Sequence, residues 1–383
     1  MLRWIHREGI QCPDLPTACD ALMDLCELHE LGVDRLNLGI FIRHPEFGGL
    51  VYQRTTGDPT LVRLEVLNED LQLPIYLNSP VCWCVTHRSA SLWDLTAACE
   101  PEFEFFQDLR ESGHTGYAVL PLHGAHGRIH VLSLATKRPG GFSSESWLLL
   151  QAFAQQVALL IDTLAVYRLA EVMLGLYVGQ QTGSRVLNGE VYRGVGDIIE
   201  AVVLVCDMKG YTQLCSTRTA KETINLLNQF FEQICAPIEE AGGEVLKFMG
   251  DAVLAIFTPG VNPLPATCRS ALKATRIAHK RLSETPLLLH GEEPIQVSAG
   301  FALHVGRFHY GNIGASNRLD FTAIGNAVNI ASRVESKTRA LGHDILCTRR
   351  FAELAGVTGK SLGLTPLKGM DEAQEIVGLQ ESE

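Results

Sequence analysis

VLVCDMKGYT (residues 203–212), KFMGDAVLAIF (247–257) and IGNAVNIASRVES (324–336) are the stretches whose reading decides the fold. In each of the first two, an aspartate, Asp207 or Asp251, borders a short apolar run of strand type and stands close to a glycine. Two hard carboxylates fixed at strand ends can share a pair of divalent cations. Mg²⁺ prefers oxygen ligands, keeps some of its water and is commonly held by one or two carboxylates plus substrate phosphates. A lone Asp beside Gly is ordinarily a turn residue, so the signal lies in the combination. In the third stretch Asn329 and Arg333 are four apart in a helical pattern that begins near Gly325-Asn326 and ends before Gly342, so they lie on one face. Val328, Ala331 and Val334 supply apolar contacts on another side of that helix. The plain alternative for Arg333 is a surface ion pair with Glu335 or another carboxylate.

The chain of 383 residues is long enough for two ordinary domains and a connector. Hydrophobic residues make up 46% and charged residues 20%, a globular balance. A formal net charge of −11 argues against a general nucleic-acid or anionic-membrane surface, which needs a basic face. The charged N-terminus MLRWIHREGIQCPDL lacks the apolar core of a signal peptide. The most apolar window, Trp147 to Tyr167, is interrupted by Gln151, Gln155, Gln156 and Asp162, so no membrane span is expected. Eleven cysteines without framework spacing fit reduced thiols, and the expected location is cytoplasmic.

Residues 1–145 mix helical and strand patterns. Pro16 to Gly32 has helical spacing, and Leu36 to Ile42, Gly49 to Arg54, Leu61 to Val66, Tyr117 to Leu122 and Arg128 to Ala135 read as strands, with a hairpin turn at His123 to Gly127. A single sheet flanked by helices is the economical architecture. Ser143 or Ser144 can cap a helix that continues to about Leu176. Its apolar residues Leu149, Phe153, Val157, Leu160, Leu164 and Tyr167 are spaced for pairing with a second helix, or for packing on their own domain. The connector is taken as 146–195, and its glycine-rich end, Gly179 to Gly196, reads as a less regular joint before a third segment, 196–383.

From about Glu190 to the C-terminus the chain resembles the catalytic domain of the class III nucleotidyl cyclases. Four motifs carry the resemblance in order: DMKGYT (207–212), LKFMGDAVLAIF (246–257), GRFHYGNIG (306–314) and DFTAIGNAVNIASR (320–333). It implies an α+β fold, a ferredoxin-like sheet with helices packed on it, working as a homodimer with the active site between two subunits. It also implies the reaction, in which the 3′-hydroxyl of a nucleoside triphosphate attacks its own α-phosphate to give a 3′,5′-cyclic nucleotide and pyrophosphate. On the matching positions, Asp207 and Asp251 are metal ligands for two Mg²⁺ (or Mn²⁺), joined by the backbone carbonyl of Met208. Asn329 positions the ribose, Arg333 stabilises charge on the α-phosphate, and Lys368 in PLKGMDEAQEIVGL resembles the triphosphate-binding lysine. One subunit gives the aspartates; the other gives Lys247, Thr322, Asn329 and Arg333. The N-terminal segment, with HVLSLATKRPGGFSSESWLLLQAFA (130–154), resembles a GAF-type sensory domain, whose small-molecule or protein signal is unknown.

The resemblance places Lys247 and Thr322 at the purine edge. Adenine presents an acceptor at N1 and a donor at N6, whereas guanine presents a donor at N1 and an acceptor at O6. Lysine only donates and threonine can accept, which fits adenine and hence ATP. Thr322 departs from the Asp found there in many adenylate cyclases, but threonine marks one branch, some of whose members respond to bicarbonate. The expected function is therefore an adenylate cyclase regulated by its N-terminal domain. Alternatives are a guanylate cyclase, or a silent cyclase-like module for nucleotide binding or dimerisation. Three histidines, His123, His126 and His130, fit a turn and strand better than a metal site. Cys82 and Cys84 in VCWCV alternate as extended neighbours would.

Overall fold

The computed structural model describes residues 2–99, 101–291, 293–370 and 372–380. It divides into two compact units, residues 1–173 and 174–383, and the division falls inside the long helix Ser144–Val178.

The first unit is built on a six-stranded antiparallel sheet. Its spatial order is Asp58–Leu67, Phe47–Thr55, Arg35–Phe41, Ile129–Thr136, Gly116–His123 and Ser91–Asp94. Helix Leu15–Leu28 starts where Asp14 accepts from the Thr17 N–H, and with the long helix it covers one face. The other face carries an aromatic cluster of Trp93, Phe103, Phe106 and Tyr117. The VCWCV segment differs from the extended expectation. Pro80 at the first helical position and Ser79 as a cap, accepting from the Cys82 N–H, make Pro80–His87 a helix that buries Cys84.

The long helix also differs from one expectation. Phe153 and Val157 are buried in the core of the first unit, and Leu164 packs on it, so these members of the stripe serve the helix's own domain. Leu149 and Tyr167 of the same stripe stand exposed, as do Leu159 and Val166. Asp162, on the same helix, accepts from Arg128 Nε and the Ala125 N–H at 2.9 Å each, with His130 Nε2 at 3.4 Å. The guanidinium holds its carboxyl down at about 2. Of the three histidines only His130 points inward, which removes the metal reading.

The second unit holds an eight-stranded sheet ordered Lys360–Thr365, Gln374–Leu379, Ile345–Thr348, Ala299–Ala315, Gly196–Met208, Ala252–Phe257 and Glu244–Met249, with Arg318–Ile324 folded back along Ala299–Ala315. The central run shows why it is buried on both faces. Val202, Leu204 and Cys206 point into a core with helices Ala220–Glu240 and Leu264–Glu284, while Ala201, Val203 and Val205 point to the opposite face. Thr219 and Glu222 form a capping box at the start of Ala220–Glu240. The glycine-rich joint is more regular than its composition suggests, since Gln180–Leu187 is a helix. Glycine suits position 183, because a Cβ would lie 3.0 Å from the backbone of Leu174 and Gly175.

Candidate active site

Asp207 sits near the end of the central strand, opposite Ala252 on one neighbour and Gly300 on the other. The chain then turns at Gly210, whose φ of +82° admits the entry to helix Tyr211–Ser216. Gly250, with φ +70°, closes the hairpin between Glu244–Met249 and Ala252–Phe257 and sets Asp251 beside Asp207. The two carboxyl groups are close enough for each to act on the other's ionisation. Burial raises both pKa values; for Asp207 the charge of Asp251 adds to the rise, and the Arg339 guanidinium opposes it for both.

A third carboxylate lies behind them. Glu335 is pushed up to about 7, by burial first and the charge of Asp207 second. Its place is made by Gly300, where a Cβ would lie 2.6 Å from Glu335 Oε1 and 2.5 Å from Thr338 Oγ1. The sequence reading treated Glu335 only as a partner for Arg333. Helical phase could have found it, because position 335 follows Ala331 by four and Val328 by seven, on the side that faces the sheet.

This donor set fits divalent cations: two adjacent carboxylates with raised pKa values are a site where a cation relieves both burial and mutual repulsion. Met208 is 1% exposed, so its side chain is core and only its backbone carbonyl is available. Among the described residues no group of three or more His, Cys, Asp or Glu side chains is arranged to hold a metal, so the remaining ligands would be backbone, water or phosphate.

Asn329 and Arg333 project from helix Asn326–Glu335 on its exposed face, while Ala327, Ile330, Ala331 and Val334 are buried. The helix ends earlier than expected, at Glu335, and a short helix Thr338–Leu341 follows. Lys368 is exposed in the turn after Lys360–Thr365, next to the buried Leu367. Lys247 is found elsewhere, in a cavity of about 480 Å³ whose lining includes Leu246, Phe248, Leu319 and Asp320 but neither Asp207 nor Asp251. There Lys247 Nζ lies 2.5 Å from Asp320 Oδ2. Thr322 is only 5% exposed. Asp320 was missed because the motif directed attention to Thr322; two-residue alternation along the strand was the available signal.

Residues 197–365 match the family model described as the adenylate and guanylate cyclase catalytic domain. The chain is similar to an adenylate cyclase of Anabaena cylindrica, with 31% identity over 188 residues, covering 48% of this chain and 37% of that protein. It is also similar to an uncharacterized protein of Mycobacterium tuberculosis, with 34% identity over 163 residues, 42% of this chain and 28% of that one. The chain thus spans about a third of the length of these curated relatives. Among solved structures, a bacterial light-regulated adenylyl cyclase aligns with a TM-score of 0.50 and 18% identity over 70% of this chain and 86% of its own, a likeness of fold. The second unit therefore carries a class III cyclase catalytic domain.

Proposed function

We propose that the protein is an adenylate cyclase converting ATP to 3′,5′-cyclic AMP and pyrophosphate at a homodimer interface. The observation that carries this reading is the adjacency of Asp207 and Asp251 at neighbouring strand ends, within a domain of cyclase type. Asp207, Asp251 and the Met208 carbonyl would hold two Mg²⁺ or Mn²⁺, which supply activation of the 3′-hydroxyl and neutralisation of the leaving pyrophosphate. Asn329 orients the ribose so that its 3′-oxygen lies in line with the α-phosphorus. The Arg333 guanidinium donates to the α-phosphate oxygens as the new P–O bond forms and the bond to the β-phosphate oxygen breaks. Lys368 neutralises the triphosphate, and Lys247 with Thr322 reads the base.

The homodimer is supported by the distribution of these groups. The cavity holding Lys247 does not include the aspartates, and Asn329 and Arg333 are exposed with no side-chain partner among the described residues. A second chain brings one half to the other. The N-terminal unit, an antiparallel sheet covered by helices, suits a GAF-like regulatory domain that relays a small-molecule or protein signal. A cytoplasmic location is in keeping with the free cysteines, and no helix among the described residues is long and apolar enough to cross a membrane. The family model itself embraces guanylate cyclases, so base choice rests on Lys247 and its surroundings. Product analysis of purified protein given ATP or GTP separately, with Mg²⁺ or Mn²⁺, tests the proposal. Cyclic AMP as the main product supports it; cyclic GMP as the main product or no turnover favours the guanylate cyclase or the silent module.

A further inference from the structure

We infer that Asp320 is a specificity-determining residue: it holds Lys247 in place and accepts a hydrogen bond from the exocyclic amine of adenine. This rests on the reading of Lys247 as a purine contact and extends it to a residue outside the expected set. The pair is direct, with Lys247 Nζ 2.5 Å from Asp320 Oδ2. Both residues line the same cavity, along with the apolar Leu246, Phe248 and Leu319, surfaces suited to a flat base.

Strand geometry explains why Asp320 rather than Thr322 meets a ligand first. In Arg318–Ile324, residues 320 and 322 share one face, while Phe321 and Ala323 turn into the core. Thr322 is 5% exposed, whereas the Asp320 side chain is 59% exposed. A carboxylate offers several acceptor positions, so one oxygen can hold the ammonium while the other remains for a ligand. Fixing the ammonium matters because lysine is a mobile point charge on a four-carbon stem.

The chemistry discriminates. Lysine only donates and an ionised aspartate only accepts, so together they present a donor and an acceptor side by side. Adenine matches this with N1 as acceptor and N6 as donor. Guanine in the same orientation sets N1–H against the ammonium and O6 against the carboxylate, two mismatches at once. A threonine hydroxyl adjusts to either base. An exposed ion pair contributes little to folding, so a purely structural Asp320 would be nearly silent on substitution.

The test compares wild type, Asp320→Asn, Asp320→Ala, Asp320→Glu and Lys247→Ala in the full chain. The readouts are kcat/KM on ATP and GTP, equilibrium binding of each nucleotide, and thermal stability. In Asp320→Asn the preference for ATP over GTP should fall by about tenfold or more, chiefly through KM for ATP, with folding unchanged. Asp320→Glu should restore part of it. An unchanged preference in Asp320→Asn and Asp320→Ala, while Lys247→Ala shifts it, overturns the role of Asp320 and leaves Lys247 as the base contact. If Lys247→Ala is silent as well, the inference and the base reading fall together. If wild type turns over neither nucleotide, the proposed activity fails, and the binding preference alone decides for or against Asp320.

Discussion

Glu244, on the strand that carries Lys247, accepts the Thr182 N–H at 2.9 Å through Oε1 and so caps the first turn of helix Gln180–Leu187. Its other oxygen accepts the Tyr310 hydroxyl at 2.7 Å, and Tyr310 meets Thr182 Oγ1 at 2.9 Å. The Arg185 guanidinium lies 5.4 Å from the Tyr310 ring centroid and 5.0 Å from that of Phe321, and it pairs with Glu190 and Asp197. The helix before the catalytic sheet is therefore fastened to the strands that carry Lys247 and Thr322.

Removing that buried carboxylate leaves an N–H and a hydroxyl without their acceptor. Glu244→Ala should destabilise the protein by about 2–4 kcal/mol, and Glu244→Gln by less, because the amide retains one acceptor. Urea denaturation measures the loss. Hydrogen exchange should show faster exchange across residues 180–187 in Glu244→Ala than in wild type; unchanged protection there would mean that the latch does not hold the helix.

Asp207 and Asp251 lead to an opposite expectation for stability. Burial opposes ionisation of both, and each feels the other, so taking one charge away relieves the metal-free protein. Asp207→Asn and Asp251→Asn should leave thermal stability without metal unchanged or higher, while cyclase activity falls by about a hundredfold or more. Added Mg²⁺ or Mn²⁺ should stabilise wild type and not the variants. Retained turnover at near wild-type rate in either folded variant would remove the metal assignment.

Much of this site was legible because its chemistry is local in sequence. Asp207 follows an apolar run, Asp251 follows a turn glycine, and Asn329 and Arg333 share a helical face. Relationships across the sheet were harder to read. Glu335 approaches Asp207 only because Gly300, from a distant segment, pairs with Asp207 and leaves room. Lys247 likewise meets Asp320 only across the fold, from a separate strand. The helical stripe containing Phe153 and Val157 was ambiguous in principle, since apolar spacing serves an intramolecular core and a paired helix equally well; the sheet of the first unit claims it. VCWCV was misread because two residues of alternation are too few to outweigh a Ser-Pro helix start.

Glu335 gives a pH signature. Its folded-state pKa, about 7, lies above the ordinary glutamate value of 4.5, so the folded chain holds the extra proton between those values. The associated stability is present below about pH 4.5 and is lost as pH rises through about 7. Asp207 and Asp251, also raised, act in the same sense. Metal-free wild type should lose stability over this window relative to Glu335→Gln, in which the group cannot ionise. Denaturation at several pH values compares the slopes; parallel curves would show that Glu335 does not titrate there.

The proposed division of the site between chains makes the last prediction. Asp207→Ala and Arg333→Ala should each be inactive as homodimers, because every site then lacks either a metal ligand or the guanidinium. In a mixed dimer, if the aspartates of one chain work with Arg333 of the other, one site carries both lesions and the other carries none. Random mixing of equal amounts makes about half the dimers mixed, each with one intact site of two, so activity should recover to roughly a quarter of wild type. Co-expression with two affinity tags allows the mixed dimer to be isolated and assayed alone, where roughly half of wild-type activity is expected. Isolated mixed dimers without activity would place Asp207 and Arg333 of one chain in the same site and overturn the shared interface.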